Sequence, residues 1–308
     1  MSSDLRVIDA EELRAWLPMV RAVDALEEAF RTGEPGAGPL RTHVETKAGT
    51  LLAMPATDVA GVGVKLVTLT PGNPAAGLPL IHAVYALFDP RTQAPLAVLD
   101  GAALTALRTA AVSGLATRHL ANPGASRLAI FGAGVQARSH LEAMCAVRPI
   151  ADLLVVSRSR DRAKALVDEG ERRGLSSGLG DPQAVAGFDL VCTCTTSDVP
   201  LFDGSLVRPG THVNAVGSYR PDARELDTET VRRARVVVET RAVAMEEAGD
   251  LLIPIEEGAV GADHVIADLA EVVRGAAIRR AADDVTVFKS VGMAFEDLVV
   301  ARAILDAE

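Results

Sequence analysis

Two sets of residues in this 308-residue chain have types and spacing suited to chemistry. The first is Gly132-Ala-Gly134-Val-Gln-Ala137, the G-x-G-x-x-A form of a dinucleotide fingerprint, with an apolar run before it and a helix-like segment after it. In such a turn the first glycine makes the strand-to-helix corner and the second lets the backbone approach a pyrophosphate. The small third residue lets helix and strand pack closely, and the phosphates rest on free N–H groups of the helix N-terminus. Gly132, Gly134, Val135 and Gln136 are therefore the expected pyrophosphate contacts. The second set is basic. Arg108 shares a helical stripe with Leu104, Ala111 and Leu115, Lys65 lies in a strand-like run that is apolar on both faces, and Arg41 opens the strand region. A buried cation needs either a protein carboxylate, such as Glu45 or Asp100, or a ligand anion. Three such cations without a matching set of acids on nearby apolar faces point to a pocket for a carboxylate substrate.

The run 153–156 reads as the second strand of the nucleotide unit, where an NAD site keeps an acid for the ribose. This chain has Ser157-Arg-Ser-Arg-Asp-Arg162 there. A guanidinium pairs with a 2′-phosphate that a carboxylate would repel, so Arg158 and Ser159 are expected on that phosphate and NADPH ahead of NADH as cofactor. Arg160 and Arg162 also fit solvated charges at a helix start. His82, in the apolar run 81–88, fits a satisfied core histidine better than a proton relay facing the pocket. Cys192 and Cys194 lack a second Cys/His pair nearby and read as buried strand residues, so no metal is expected.

These side chains need elements to hold them. Residues 5–30 carry helical spacing, 33–39 form a loop, and 41–99 break into short strands near 49–54, 61–69, 81–88 and 96–99. A helix over 102–120 ends at Asn122-Pro-Gly124, and from 127 to 289 strands alternate with helices. The last helix, 293–305, carries Ala294, Leu298, Ala301 and Leu305 on one stripe. The expected architecture is α/β: a Rossmann-type doubly wound parallel sheet over 121–292, plus an α+β substrate and dimerisation domain over 1–120 joined by helix 293–308. A chain 49% hydrophobic with net charge −10 has the core for two domains and argues against nucleic acid as partner. No apolar stretch approaches a membrane span, and Asp4 and Arg6 stand where an export signal needs apolar residues. The chain reads as a reduced, soluble, cytoplasmic enzyme.

The sequence resembles the ornithine cyclodeaminase/mu-crystallin family over nearly its whole length. The stretches that carry the resemblance are Pro39-Leu-Arg41-Thr, Leu51-Leu-Ala-Met54-Pro, Gly63-Val-Lys65-Leu-Val, Leu104-Thr-Ala-Leu-Arg108-Thr-Ala-Ala, the fingerprint, Asn214-Ala-Val-Gly-Ser218, Glu225-Leu-Asp227, Gly249-Asp250 and Val287-Phe-Lys-Ser-Val-Gly292. The resemblance implies a homodimer with its active site between the two domains. It places Arg41, Lys65 and Arg108 on the substrate carboxylate, Met54 in the same pocket, and Thr195, Val216, Gly217 and Val291 on the cofactor. Cyclodeaminases and alanine dehydrogenases of the family carry an Asp for the substrate amine after the Asn-Ala-x-Gly segment, where this chain has Tyr219. The Ser-x-Arg-Pro-Asp form resembles instead the mu-crystallin branch, whose enzymatic members reduce cyclic ketimines. The expected function is therefore NADPH-dependent reduction of a small cyclic imino acid, Δ1-pyrroline-2-carboxylate or Δ1-piperideine-2-carboxylate, to proline or pipecolate. Ornithine cyclodeaminase or alanine dehydrogenase activity, and non-catalytic NADPH-dependent binding, are the rival readings.

Overall fold

The computed structural model describes residues 5–35, 38, 41–58 and 61–307. Gly36, Ala37, Pro39 and Leu40, within the expected loop and the first matching stretch, lie outside the described residues. The chain divides into two compact units, one of 1–109 with 293–308 and the other of 110–292.

The first unit opens with β1 (Arg6–Ile8), α1 (Ala10–Trp16) and α2 (Met19–Thr32). It continues through β2 (Thr42–Glu45), β3 (Thr50–Asp58), β4 (Gly61–Leu69), β5 (Ile81–Phe88) and β6 (Pro95–Asp100) into α3 (Gly101–Leu120), which crosses the division between units at Thr109. Residues 5–30 are thus not all helical, because β1 is too short to show a period of its own. The sheet order is β1-β6-β5-β4-β3-β2, antiparallel from β2 to β6 and with β1 parallel to β6. Side chains of a strand alternate between faces. One face of this sheet carries Leu52, Met54, Lys65, Val67, Tyr85 and Leu99, all buried. Against it lies α10 (Ala294–Asp306), which also packs on α2 through an edge-to-face contact of Phe30 with Phe295, ring centroids 5.6 Å apart. The helix α2 turns Met19, Ala22, Val23, Leu26 and Phe30 inward at helical spacing.

The second unit runs β7 (Arg127–Phe131), α4 (Val135–Val147), β8 (Asp152–Val156), α5 (Arg160–Arg172), β9 (Ser176–Leu179), β10 (Leu190–Thr193) and β11 (His212–Ala215). There follow α6 (Thr228–Arg233), β12 (Arg235–Val238), α7 (Arg241–Glu247), α8 (Gly249–Glu256), β13 (Val265–Asp268), α9 (Leu269–Val273) and β14 (Thr286–Lys289). All of its paired strands are parallel, in the order β13-β12-β14-β11-β10-β7-β8-β9. Strands β9-β8-β7-β10-β11 reproduce the 3-2-1-4-5 order of a doubly wound nucleotide fold, with the reversal between β7 and β10. β10, β11 and β14 are buried at every position, as a sheet covered on both faces requires. In such folds ligands bind beyond the carboxyl ends of the strands at the reversal, where the fingerprint turn stands.

Candidate active site

In the first unit, cross-strand register sets Met54, Lys65 and Tyr85 side by side on one face of β3, β4 and β5. The Lys65 Nζ donates to both carboxylate oxygens of Asp297 on α10, at 2.9 and 2.7 Å. Arg108, from α3, donates through Nε to Asp297 (3.3 Å) and through Nη1 to Glu296 (2.8 Å). Lys65, Arg108, Glu296 and Asp297 are all buried. Arg41 stands just before β2, half-buried, and its charge reaches Lys65. Burial pulls the Lys65 ammonium down to about 8; Asp297 opposes that, and the positive charges of Arg108 and Arg41 add to it. An ammonium that titrates near 8 is suited to hold or deliver a proton. The Tyr85 hydroxyl, pushed up by burial and by the charges of Asp297 and Asp58, has no hydrogen-bond partner among the described residues. It lies over Gly63, where any Cβ would collide with it.

Lys65 and Arg108 thus have buried carboxylate partners, against the expectation that the cations lack a matching set of acids, and those partners are not the acids the sequence suggested. Asp100 caps α3, accepting from the amides of Ala102 and Ala103, and Glu45 accepts from the Thr50 hydroxyl. Glu296 and Asp297 were missed because the last helix reads as apolar. The signal was present, since Asp297 falls three residues after Ala294 and four before Ala301 on the stripe itself. His82 is corrected on both readings. Its register with Thr68 puts it on the sheet face opposite Lys65, and it is exposed, so it is neither a core histidine nor directed at Lys65.

In the second unit, Gly132 follows β7 at φ +110°, a conformation that favours glycine, and a Cβ there would lie 2.5 Å from the Cys194 carbonyl oxygen. Gly134 caps α4 in an extended conformation; no side chain caps this helix, and a Cβ on Gly134 would meet only open space. An open, uncapped helix N-terminus directly after the first strand fits a dinucleotide pyrophosphate. Val135 is exposed at the first helical position, Gln136 is half-buried, and Ala137 packs buried behind them. Arg158 is exposed just past β8, and Ser159 caps α5 without a side-chain cap bond.

Thr195, Val216, Gly217 and Val291 stand beyond the carboxyl ends of β10, β11 and β14, all half-buried. Two acids to which the sequence assigns no role hold Thr195, Gly217 and Val291. Glu225 accepts from the Thr193 hydroxyl (2.6 Å), the Thr195 amide (2.8 Å) and hydroxyl (2.6 Å), and the Gly217 amide (2.8 Å). Glu239 accepts from the Ser290 hydroxyl (2.6 Å) and from the amides of Val291 (3.0 Å) and Gly292 (2.9 Å). Tyr219 is half-buried beyond β11. Asp222, the acid closest after it in sequence, is exposed and held bidentately by Arg220 at 2.9 and 3.0 Å. Among the described residues no cluster of three or more His, Cys, Asp or Glu could hold a metal. Among the described residues no helix is long and apolar enough to cross a membrane.

A family model described as the ornithine cyclodeaminase/mu-crystallin family matches residues 5–308. The chain belongs to that family. Mouse ketimine reductase mu-crystallin is 39% identical over 305 residues, covering 96% of this chain and 94% of that protein. Among solved structures, a Thermococcus litoralis Δ1-pyrroline-2-carboxylate reductase in complex with NADH and L-proline superimposes with a TM-score of 0.93 at 36% identity, covering 98% and 97% of the two chains. An archaeal alanine dehydrogenase dimer with bound NAD gives a TM-score of 0.92 at 33% identity, covering 98% and 95%. As a member of the ornithine cyclodeaminase/mu-crystallin family, the chain is a nicotinamide-dependent oxidoreductase acting on carbon–nitrogen bonds.

Proposed function

We propose that this enzyme reduces small cyclic ketimines bearing a carboxylate, Δ1-pyrroline-2-carboxylate or Δ1-piperideine-2-carboxylate, to proline or pipecolate, with NADPH. The observation that carries the reading is the uncharged Tyr219 where an amine-binding acid would stand, together with Asp222 committed to Arg220. A deaminase must orient a protonated α-amine while it is oxidised, which an anion at this position assists. A ketimine arrives with its carbon already electrophilic. It needs its carboxylate held, its nitrogen protonated and a hydride delivered, and the nicotinamide supplies the hydride when bound.

The chain's own residues supply the rest. Arg41 and Arg108 clamp the carboxylate, Met54 walls the same space, and Lys65 keeps the imine nitrogen protonated. Asp297 holds Lys65 and Arg108 in place, so the clamp is built before substrate arrives. Gly132, Gly134, Val135 and Gln136 face the pyrophosphate, and Arg158 with Ser159 receives the 2′-phosphate; no acid occupies positions 157–159 to repel it. The enzyme acts as a homodimer formed through the outer face of the first unit's sheet, where Val44, Leu66 and Val84 are 48%, 39% and 48% exposed.

The test is cofactor oxidation followed with the two cyclic imines, beside ammonia release from ornithine and alanine with NAD⁺. Rapid NADPH consumption on an imine without ammonia release supports the reading; ammonia from ornithine or alanine overturns it. In the same assay Arg158→Ala raises the KM for NADPH and leaves that for NADH unchanged. An equal rise for both would remove Arg158 from the 2′-phosphate.

A further inference from the structure

Beyond the carboxyl ends of β10, β11 and β14, three buried charged residues form a chain that the reaction as described does not use. Both oxygens of Glu225 are filled by donors from two segments: Thr195 N–H and Oγ on Oε1, Thr193 Oγ and Gly217 N–H on Oε2. Two of the four are backbone amides, which can only donate, and together the four saturate an ionised carboxylate. The backbone around Glu225 is fixed in turn, because Asp250 Oδ1 accepts from the amides of Glu225 (2.7 Å) and Leu226 (2.8 Å). Asp250 Oδ2 pairs at 2.8 Å with Lys289, whose Nζ also donates to the Ser218 carbonyl (2.5 Å). Glu225, Asp250 and Lys289 are 0%, 0% and 1% exposed. Gly217 is wedged so tightly that a Cβ would collide with both the Thr195 carbonyl and the Glu225 carboxylate.

Position in the sheet says what this serves. The half β7-β8-β9 holds the fingerprint and the arginine past β8, which suit the adenine side of a dinucleotide. The half beyond the reversal, β10, β11 and β14, then receives the other nucleotide. We infer that Glu225 is a positioning residue for the nicotinamide half of the cofactor. It locks the 193–195 and 216–218 segments in one arrangement, with Asp250 and Lys289 as its support. The inference rests on the reading of Thr195 and Gly217 as cofactor residues, and it holds whatever imine is reduced.

Glu225→Gln keeps the shape, but whichever way the amide turns, its NH2 faces two donors. At least one backbone amide or hydroxyl pair then loses its acceptor. Calorimetry on the full chain compares NADPH with 2′-phospho-ADP-ribose, which lacks the nicotinamide. The expected result is roughly a ten- to hundredfold weaker NADPH affinity with the fragment held within about twofold. Amide exchange at Thr195 and Gly217 should accelerate in the cofactor-free variant. Thr193→Val, which removes a single hydroxyl donor, should act in the same direction to a smaller extent and decides the matter if the first variant does not fold. Unchanged NADPH affinity, or the same fold-loss for fragment and whole cofactor, overturns the inference. A wild-type protein that binds NADPH but turns over no imine would count against the proposed substrate and leave this binding test standing.

Discussion

Lys65 is a buried ammonium whose charge depends on two opposing neighbours, Asp297 on one side and the guanidinium groups on the other. With its folded value near 8, the protonated form prevails at neutral pH and is lost above it. Imine reduction should therefore fall about tenfold per pH unit beyond 8 if Lys65 supplies the proton. Lys65→Met should abolish that limb of the kcat/KM profile and lower the rate by roughly 10²- to 10⁴-fold. A variant that retains the limb would assign it to another group. Arg108→Ala should raise the imine KM about a hundredfold, the order seen when one partner of a buried charge pair is removed, while calorimetric NADPH affinity stays unchanged. Unaltered kinetics would take Arg108 out of the clamp. The sequence showed the cations because a charge within an apolar stripe is conspicuous. It hid their partners because Glu296 and Asp297 open a helix, where acids are ordinary. In the sequence Tyr85 is one more strand aromatic; what sets it apart is that its buried hydroxyl has no hydrogen-bond partner among the described residues.

Elements were legible where their period was strong. The runs 61–69 and 81–88 are strands β4 and β5 as expected, and α3 begins one residue before the expected start. Register was not legible, and it decides which side chains meet; His82 went to the wrong face for that reason. Helix α4 is joined to α3 by a histidine no pattern marked. His140 donates from Nδ1 to the Gln136 carbonyl (2.8 Å) and accepts at Nε2 from the Ser113 hydroxyl (2.9 Å), which fits a neutral ring. Burial lowers its pKa to about 4. The unfolded chain, with an ordinary histidine near 6.5, takes up a proton first as the medium is acidified. The stability this ring contributes is thus complete above about 6.5 and is lost as pH falls toward 4, amounting to about 3 kcal/mol. His212, lowered to about 3 by burial and by the Arg279 charge, works in the same sense. Urea unfolding at pH 7.5 and pH 5 should show the decline, and His140→Gln should shrink it. An undiminished decline in that variant would exclude His140 as a source.

At the scale of the molecule, the outward side of the six-stranded sheet presents Leu66 beside Val84, and Val44 across from Leu51, in cross-strand rows. A soluble monomer rarely leaves such a surface to water. Leu66→Glu should convert a dimer to a monomer by light scattering; a wild-type monomer would refute the assembly. The first unit also has an order of construction written into it. Its strands and Arg108 precede the whole of 110–292, yet Asp297 stands 232 residues after the lysine it pairs with. On a ribosome, the nucleotide unit can finish folding before Glu296 and Asp297 of α10 are there to pair with Lys65 and Arg108. Helix α10 brings the carboxylates that pair with both, so nascent chains arrested before α10 should hold one protease-resistant unit and leave β4 open to cleavage.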